Sequence, residues 1–435
     1  MREDFLHYLW LYKKLAVPSS GPPDRTITLT DGQAFELLDS GQHNQLAGPD
    51  FFNAQVRIDG QHWVGNVEVH LKASDWYAHH HETDEAYANV ILHVVWEHDV
   101  DVYDLNNNPL PTLQLKDWVL PSVLANYQSL FRNKKYKFIL CEQEIDQVDP
   151  GLVEAWLESL YLERLEQKVM RIEQLLAESK NDWEAVLFSM LLRSFGTQIN
   201  AEAFEQLAKS IPFPIIRKLA QDQSTLEIVL LGRAGLLDPP LNHPFQEQWL
   251  RQFKYLEHKF SLAPAQLPVV QFYRLRPPNF PTVRLSQFAA VYAQSQSLFN
   301  TLMQADTLEA MLPLFQTTPS AFWQKHYTFT KAHPRKEKKL SRSFIDLLLI
   351  NTVLPLHFAY HRKRRLNQDS EVLSWMAKLP AESNRVVREF AKRIPATQNA
   401  LHTQALVQLK LHYCDRFRCL HCRVGNSLLQ RPIQP

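Results

Sequence analysis

Residues 48–76 read GPDFFNAQVRIDGQHWVGNVEVHLKASDW, and their alternation settles what the first third of the chain can be. Phe52, Ala54, Val56 and Ile58 are apolar at even positions, and Trp63, Val67, Val69 and Leu71 are apolar at odd positions. Period-two alternation on both sides of Asp59-Gly60 predicts two strands joined by a tight turn. A shared apolar face then needs cross-strand pairs whose numbers sum to an odd value, which a two-residue turn supplies. Glu68, His70 and Lys72 fall on the polar face with Asn53, Gln55 and Arg57. Asp50 falls on the opposite face, and joins Glu68 only if the chain bends or bulges near Pro49-Asp50.

Outward from this hairpin, glycine placement separates two regimes. Six of the 11 glycines lie in the first 65 residues, where Asp31-Gly32, Ser40-Gly41 and Asp59-Gly60 punctuate short alternating segments. Strands are expected near Thr26–Leu29, Phe35–Leu38, Phe51–Ile58, His62–Leu71 and Val90–Trp96, behind an amphipathic helix over residues 1–15. Val90–Trp96 is nearly continuous in apolar residues, as expected of a strand covered on both faces. Between Gly235 and Gly425 there is no glycine, and apolar residues recur at three- and four-residue intervals, the helical period. Asp149-Pro150 reads as a helix start, and further helices are expected at about Trp183–Phe195, Ala201–Ile211 and Thr225–Leu237. The fold class is α+β. A mixed α/β sheet domain over residues 1–140 precedes a helical domain over 141–265 and a basic helical region over 266–435 that ends in a cysteine module.

The 435 residues carry a formal net charge of +1, with 4 Cys and 26 Pro. Those counts exclude a disulfide scaffold and a collagen-like repeat. No uninterrupted apolar stretch reaches the roughly 18–20 residues of a membrane span. Met1-Arg2-Glu3-Asp4 does not open a signal peptide, so a cytoplasmic setting without membrane attachment is the expectation. The near-zero total hides an asymmetry, because residues 331–435 hold 20 Lys+Arg against 7 Asp+Glu, a net of +13, and the rest of the chain therefore carries −12. Such a segment attracts polyanions, and nucleic acid is the expected partner. Its contacts would be Arg274, Arg276 and Arg284 around the Pro277-Pro278 loop, with Lys338, Lys339, Arg362, Arg364 and Arg365. A solvated basic face docked on acidic helices is the plainer reading of the same charges.

Seven of the 18 histidines lie between His62 and His98. Carboxylates on two neighbouring strands, Asp50 and Glu68, can supply hard oxygen ligands to Mg²⁺ or Mn²⁺. His70 or Lys72 on the same strand would position or deprotonate an attacking water. Asp75, His79, His81 and His93 are auxiliary candidates. The imidazoles could instead form a transition-metal site, and the bland reading makes Asp50 a turn cap and Glu68 with His70 a solvated strand face. His93 alone fits a core histidine. No Walker A loop, G-x-G-x-x-G, G-x-S-x-G or H-E-x-x-H is present.

Pro49-Asp50 before one strand and Glu68-Val69-His70 on the next resemble the two motifs of the PD-(D/E)XK nuclease superfamily, with His70 replacing the motif's lysine. The resemblance implies a restriction-endonuclease-like core and metal-dependent phosphodiester hydrolysis, with Asp50, Glu68 and His70 or Lys72 as catalytic residues. A larger set, Gly48-Pro49-Asp50-Phe51, Gly65-Asn66-Val67-Glu68-Val69-His70, Ser74-Asp75-Trp76 and Asn89–Val95, is similar to a bacterial family of unknown function. That likeness extends over most of the chain, including Arg276–Pro281 and the C-terminal cysteines.

Cys414-x4-Cys419-x2-Cys422 is a compact soft-ligand cluster, and Cys141 is the remaining cysteine. Four thiolates can hold Zn²⁺ or a 4Fe-4S cluster, with His412 or His421 as alternative fourth ligands. The arrangement resembles the iron–sulfur staple of some PD-(D/E)XK repair and adaptation nucleases, where the remote cysteine precedes the catalytic motifs; here Cys141 follows them. The expected function is a metal-dependent nuclease. A non-enzymatic nucleic-acid or protein-binding adaptor with a degenerate nuclease fold and a His-based metal hydrolase are the rivals, and the sequence is silent on oligomeric state.

Overall fold

The computed structural model describes residues 1–15, 26–44, 47–132, 138–295, 297–365, 369–394 and 398–431. Strands β1 (Phe35–Asp39), β2 (Gln42–His43), β3 (Phe51–Ile58), β4 (Gln61–Lys72), β5 (Val90–Glu97) and β6 (Thr112–Gln114) form one mixed sheet in the order β1-β3-β4-β5-β6, with β2 also on β3. The first pairings are antiparallel, while β4–β5 and β5–β6 are parallel. Asp59 and Gly60 both take positive φ, 46° and 82°, the conformation of a tight hairpin turn that sets Ile58 opposite Gln61. The expected strand at Thr26–Leu29 reduces to a bridge between Thr28 and Ala34, and β2 and β6 are too short to leave an alternation in the sequence.

Helix α1 (Glu3–Leu11) lies against one face of the sheet. Phe5, Leu6, Leu9 and Trp10 are fully buried in a core that contains Val67, Val69, Leu92 and Val94. Each such side chain contributes about 1.5–3 kcal/mol relative to exposure, so α1 is anchored by its apolar stripe. The other face of β4 and β5 is covered by Ala73, Trp76 and Val102 around Val90 and Val95. Helix α2 (Asp75–Ala78) and the turns that follow it close this side. The β4 face read as polar from its alternation is therefore an interior layer, with Glu68 and His70 5% and 2% exposed.

The chain divides into two units, Met1–Trp156 with Lys392–Ile394 and Leu409–Pro435, and Leu157–Ala391 with Pro395–Gln408. The boundary expected at residue 140 falls after Trp156, and the cysteine module joins the N-terminal unit instead of the basic helical region. It does so through Tyr8, whose hydroxyl donates to Asn426 Oδ1 at 3.0 Å, and Asn126, whose amide donates to the Leu429 carbonyl at 3.2 Å. Helix α3 (Pro121–Arg132) packs with that module, and α4 (Pro150–Glu178) begins as expected, Asp149 accepting from the Leu152 N–H at 3.1 Å. The second unit is helical, including Trp183–Phe195, Thr197–Lys209 and Gln223–Arg233, close to the expected spans. The apolar segment Arg342–Lys363 has the length and hydropathy of a membrane span, but 78% of its apolar window is buried inside the protein.

Candidate metal site

One extra residue in β3 resolves the parity conflict. From Ile58↔Gln61 to Ala54↔Gly65 the pairs sum to an odd value, and the next pair, Phe51↔Val67, sums to an even one. Three steps on β3 thus match two on β4, the signature of a β-bulge. Asn53 sits in the bulge with φ 54°, in the left-handed region that asparagine tolerates better than most residues. Phe51 enters the core in place of Phe52, and Asp50 is delivered to the face of Glu68. The Asp50 N–H donates to Glu68 Oε2 at 3.1 Å, and Asp50 Oδ2 accepts from the Val69 N–H at 3.0 Å.

Two imidazoles face the other oxygen of Glu68, and a third stands behind them. His70 Nε2 is 3.5 Å and His81 Nε2 3.4 Å from Glu68 Oε1, and His70 Nε2 is 3.0 Å from His79 Nδ1. His70, His79 and His81 each present a nitrogen within 4.8 Å of the other two, a spacing one ion can bridge. Two of them reach the site because His80 takes a left-handed conformation, φ 62°, between α2 and the turn His81–Thr83. Tyr87 stacks on His81 at 3.7 Å, and neither ring nitrogen of His81 has a hydrogen-bond partner although both are buried. His93, fully buried, lies with Nε2 2.9 Å from His70 Nδ1; with His70 Nδ1 as the donor, His70 Nε2 carries the free lone pair. It acts behind the cluster, in the role of an orienting residue.

Two expected members stand apart. Lys72 is exposed at the end of β4, in register with Glu97, and its charge is felt by Asp99. Asp75 caps the turn into α2 by accepting the Lys72 N–H at 2.9 Å.

Burial dominates the electrostatics. It pushes the Glu68 carboxyl up to about 9, with the neighbouring Asp50 carboxylate adding to the rise. It draws His70 down to about 4, helped by repulsion from His81 and His79, and lowers His81 and, further, His93. His70, His81 and His93 are thereby favoured in the neutral form, the one in which imidazole ligates metals. Tyr87 is raised to about 12 by burial and by Glu68 and Asp50.

Sequence reasoning missed two donors. Glu3 and His7 lie four residues apart on the face of α1 away from Phe5 and Leu9, and they meet Asp50 with donor atoms within 4.8 Å of one another. His7 Nε2 is 3.3 Å from Asp50 Oδ2. The i, i+4 spacing was the available signal.

All four cysteines line one small cavity of about 20 Å³ with Leu130, Tyr413 and Gly425. Every thiol is raised, by burial first; for Cys141, Cys414 and Cys419 proximity to other cysteines is the next cause. Gly425 permits the approach, since a Cβ there would stand 2.1 Å from the Cys419 carbonyl oxygen.

Some expected nucleic-acid contacts are instead engaged within the second unit. Arg284 is buried, its guanidinium 3.7 Å from the Phe344 ring centroid and donating to Asn279 and Gln287. Lys338 is buried and donates to the carbonyls of Trp323 and His326. Arg362 pairs with Glu166 and Lys339 with Glu337. Arg364 lies over Tyr360, and Arg274, Arg276 and Arg365 are exposed or half-exposed.

The fold is that of an α+β protein whose mixed sheet carries a carboxylate–histidine cluster. The chain belongs to the family described as protein of unknown function (DUF2851), which matches residues 3–385. The match takes in the whole cluster and Cys141 and ends before Cys414. No curated protein and no solved structure matches the chain.

Proposed function

We propose that this protein is a metal-dependent hydrolase of phosphodiester bonds, with nucleic acid as its substrate. The observation that carries the reading is the convergence of Glu68 with His70, His79 and His81 at the bulge that brings in Asp50. The carboxylate site and the histidine site, rivals in the sequence, stand next to each other, Glu68 Oε1 lying 3.5 Å from His70 Nε2 and 3.4 Å from His81 Nε2. Three imidazoles and a carboxylate suit manganese, zinc or iron better than magnesium. An ion held there would polarise a phosphoryl oxygen and lower the pKa of a bound water. Glu68 and the histidines hold the ion, His93 orients His70, and His79, the exposed member of the cluster, marks the side from which substrate and water approach. With Lys72 remote, the carboxylate or imidazole of the cluster, not an ammonium, must accept the proton from water. The net +13 of residues 331–435 supports a polyanionic substrate.

The four-cysteine cavity supports a second centre of structural kind, zinc or an iron–sulfur cluster held by Cys141, Cys414, Cys419 and Cys422. Incubation of the purified protein with single- and double-stranded DNA and RNA in Mn²⁺, Zn²⁺, Co²⁺ or Mg²⁺ tests the activity. Metal-dependent cleavage that falls at least 100-fold in Glu68→Ala and His79→Ala is expected. Cleavage unchanged in these variants, or none with any metal and substrate, rejects the proposal.

A further inference from the structure

We infer that helix α1 builds a second cation position, Glu3–His7–Asp50, beside the one at Glu68 and the histidines, so that the centre is dinuclear. The inference rests on the metal-hydrolase reading and adds a ligand set which that reading does not require.

Three observations carry it. Glu3, His7 and Asp50 each present a donor atom within 4.8 Å of the other two, independently of the histidine set. His7 Nε2, a buried atom, faces Asp50 Oδ2 at 3.3 Å. A buried imidazole nitrogen held against a carboxylate oxygen presents together the donor types that a divalent transition-metal ion takes. The two sets also share a wall. Glu68 turns Oε1 toward His70 and His81 and uses Oε2 to accept from the Asp50 N–H, so Asp50 and Glu68 lie back to back between them. Glu3 feels the charges of both Asp50 and His79, one from each set.

The support behind α1 is firm. The His7 ring stands edge-on to Phe51 at 5.7 Å and to His43 at 5.3 Å, and His43 stacks on Phe51 at 5.0 Å. Phe5 and Leu9 hold the opposite stripe of the helix in the core. Glu3 and His7 are therefore presented by a rigid element, as a ligand set needs. Paired ions about 3.5–4 Å apart clamp the attacking and leaving oxygens of an in-line displacement, which is the chemistry proposed for the neighbouring position.

Manganese is the discriminating probe, since it prefers oxygen and nitrogen donors to thiolates. The full-length protein, freed of labile metal and titrated with Mn²⁺, should bind two ions per chain at the N-terminal centre and give the exchange-coupled electron paramagnetic resonance signal of adjacent ions. Glu3→Gln and His7→Gln, made separately, should each drop the count to one and restore the six-line signal of an isolated ion. His79→Ala with His81→Ala should also leave one ion, at the α1 position. A single ion in the wild type that survives Glu3→Gln and His7→Gln and is lost in the histidine variant would overturn the second position while leaving the hydrolase reading standing. No bound Mn²⁺ in a folded wild type would overturn both.

Discussion

Replacing Asn53 with valine tests whether the bulge is what assembles the site. Asn53 holds φ 54° on an exposed position of β3, so a valine there gains no packing and meets the full steric penalty of the left-handed region. That penalty is about 1–2 kcal/mol for an ordinary L-residue, and asparagine bears only part of it. Asn53→Val should thus lose about 1–2 kcal/mol in urea unfolding of the N-terminal unit, whereas Asn53→Gly should stay within about 0.5 kcal/mol of wild type. The strand cannot escape by removing the bulge. Regular pairing continued from Ala54↔Gly65 would set Asp50 opposite Val69, whose side chain lies in the apolar core under α1. Phe52 would then take the place of Phe51 opposite Val67 and the Asp50 carboxylate would enter the core beside Val69, which costs more than the strained backbone. Deleting Asn53 removes the extra residue itself, so regular pairing keeps Phe51 opposite Val67 and Asp50 at Glu68, and Mn²⁺ binding should persist. Asn53→Val as stable as Asn53→Gly, or a folded deletion variant that no longer binds Mn²⁺, would refute the reasoning.

His93→Phe, which fills the same buried place without a ring nitrogen for His70, should weaken Mn²⁺ binding about 10–100-fold in isothermal titration while the fold persists by circular dichroism. The thiol cavity should hold metal in protein expressed without supplementation, brown if iron–sulfur and colourless if zinc, and elemental analysis of Cys422→Ser should show it lost. Gly425→Ala should lose that metal too and lower the melting temperature, because the added methyl meets the Cys419 backbone. In the second unit, burial raises Glu227 from 4.5 to about 7, its Oε1 accepting from Trp323 Nε1 at 2.7 Å and Ser320 Oγ at 2.9 Å. The protonated form is favoured on folding, so this contribution is complete below pH 4.5, declines up to about pH 7 and is absent above it. The loss is about 3 kcal/mol. Unfolding curves at pH 5, 7 and 9 should fall accordingly in wild type relative to Glu227→Gln, and parallel curves would contradict the assignment.

The hairpin, the doubly covered β5 and the helix at Trp183–Phe195 were legible because each depends on a local rule, the period of side chains along a strand or helix and the turn chemistry of Asp-Gly. The α+β class follows from those rules alone. Short β2 and β6 left no pattern, since two or three residues cannot express a period. The identity of Asp50, Glu68, His70, His79 and His81 as chemically loaded residues was also visible, as was the cysteine set.

Their arrangement was not. Alternation put Asp50 on the wrong side of the sheet, and one backbone conformation at Asn53 reversed it. Alternation made Glu68 and His70 look solvated, and residues from Ala73 to Tyr87 and beyond buried them. Glu3 and His7 joined the site, and the cysteine module joined the N-terminal unit, through packing between segments remote in the chain. Periodicity is encoded residue by residue, so composition and order suffice to reveal it. Convergence depends on distances across the core, which depend on every element packed between, and only the folded chain determines them.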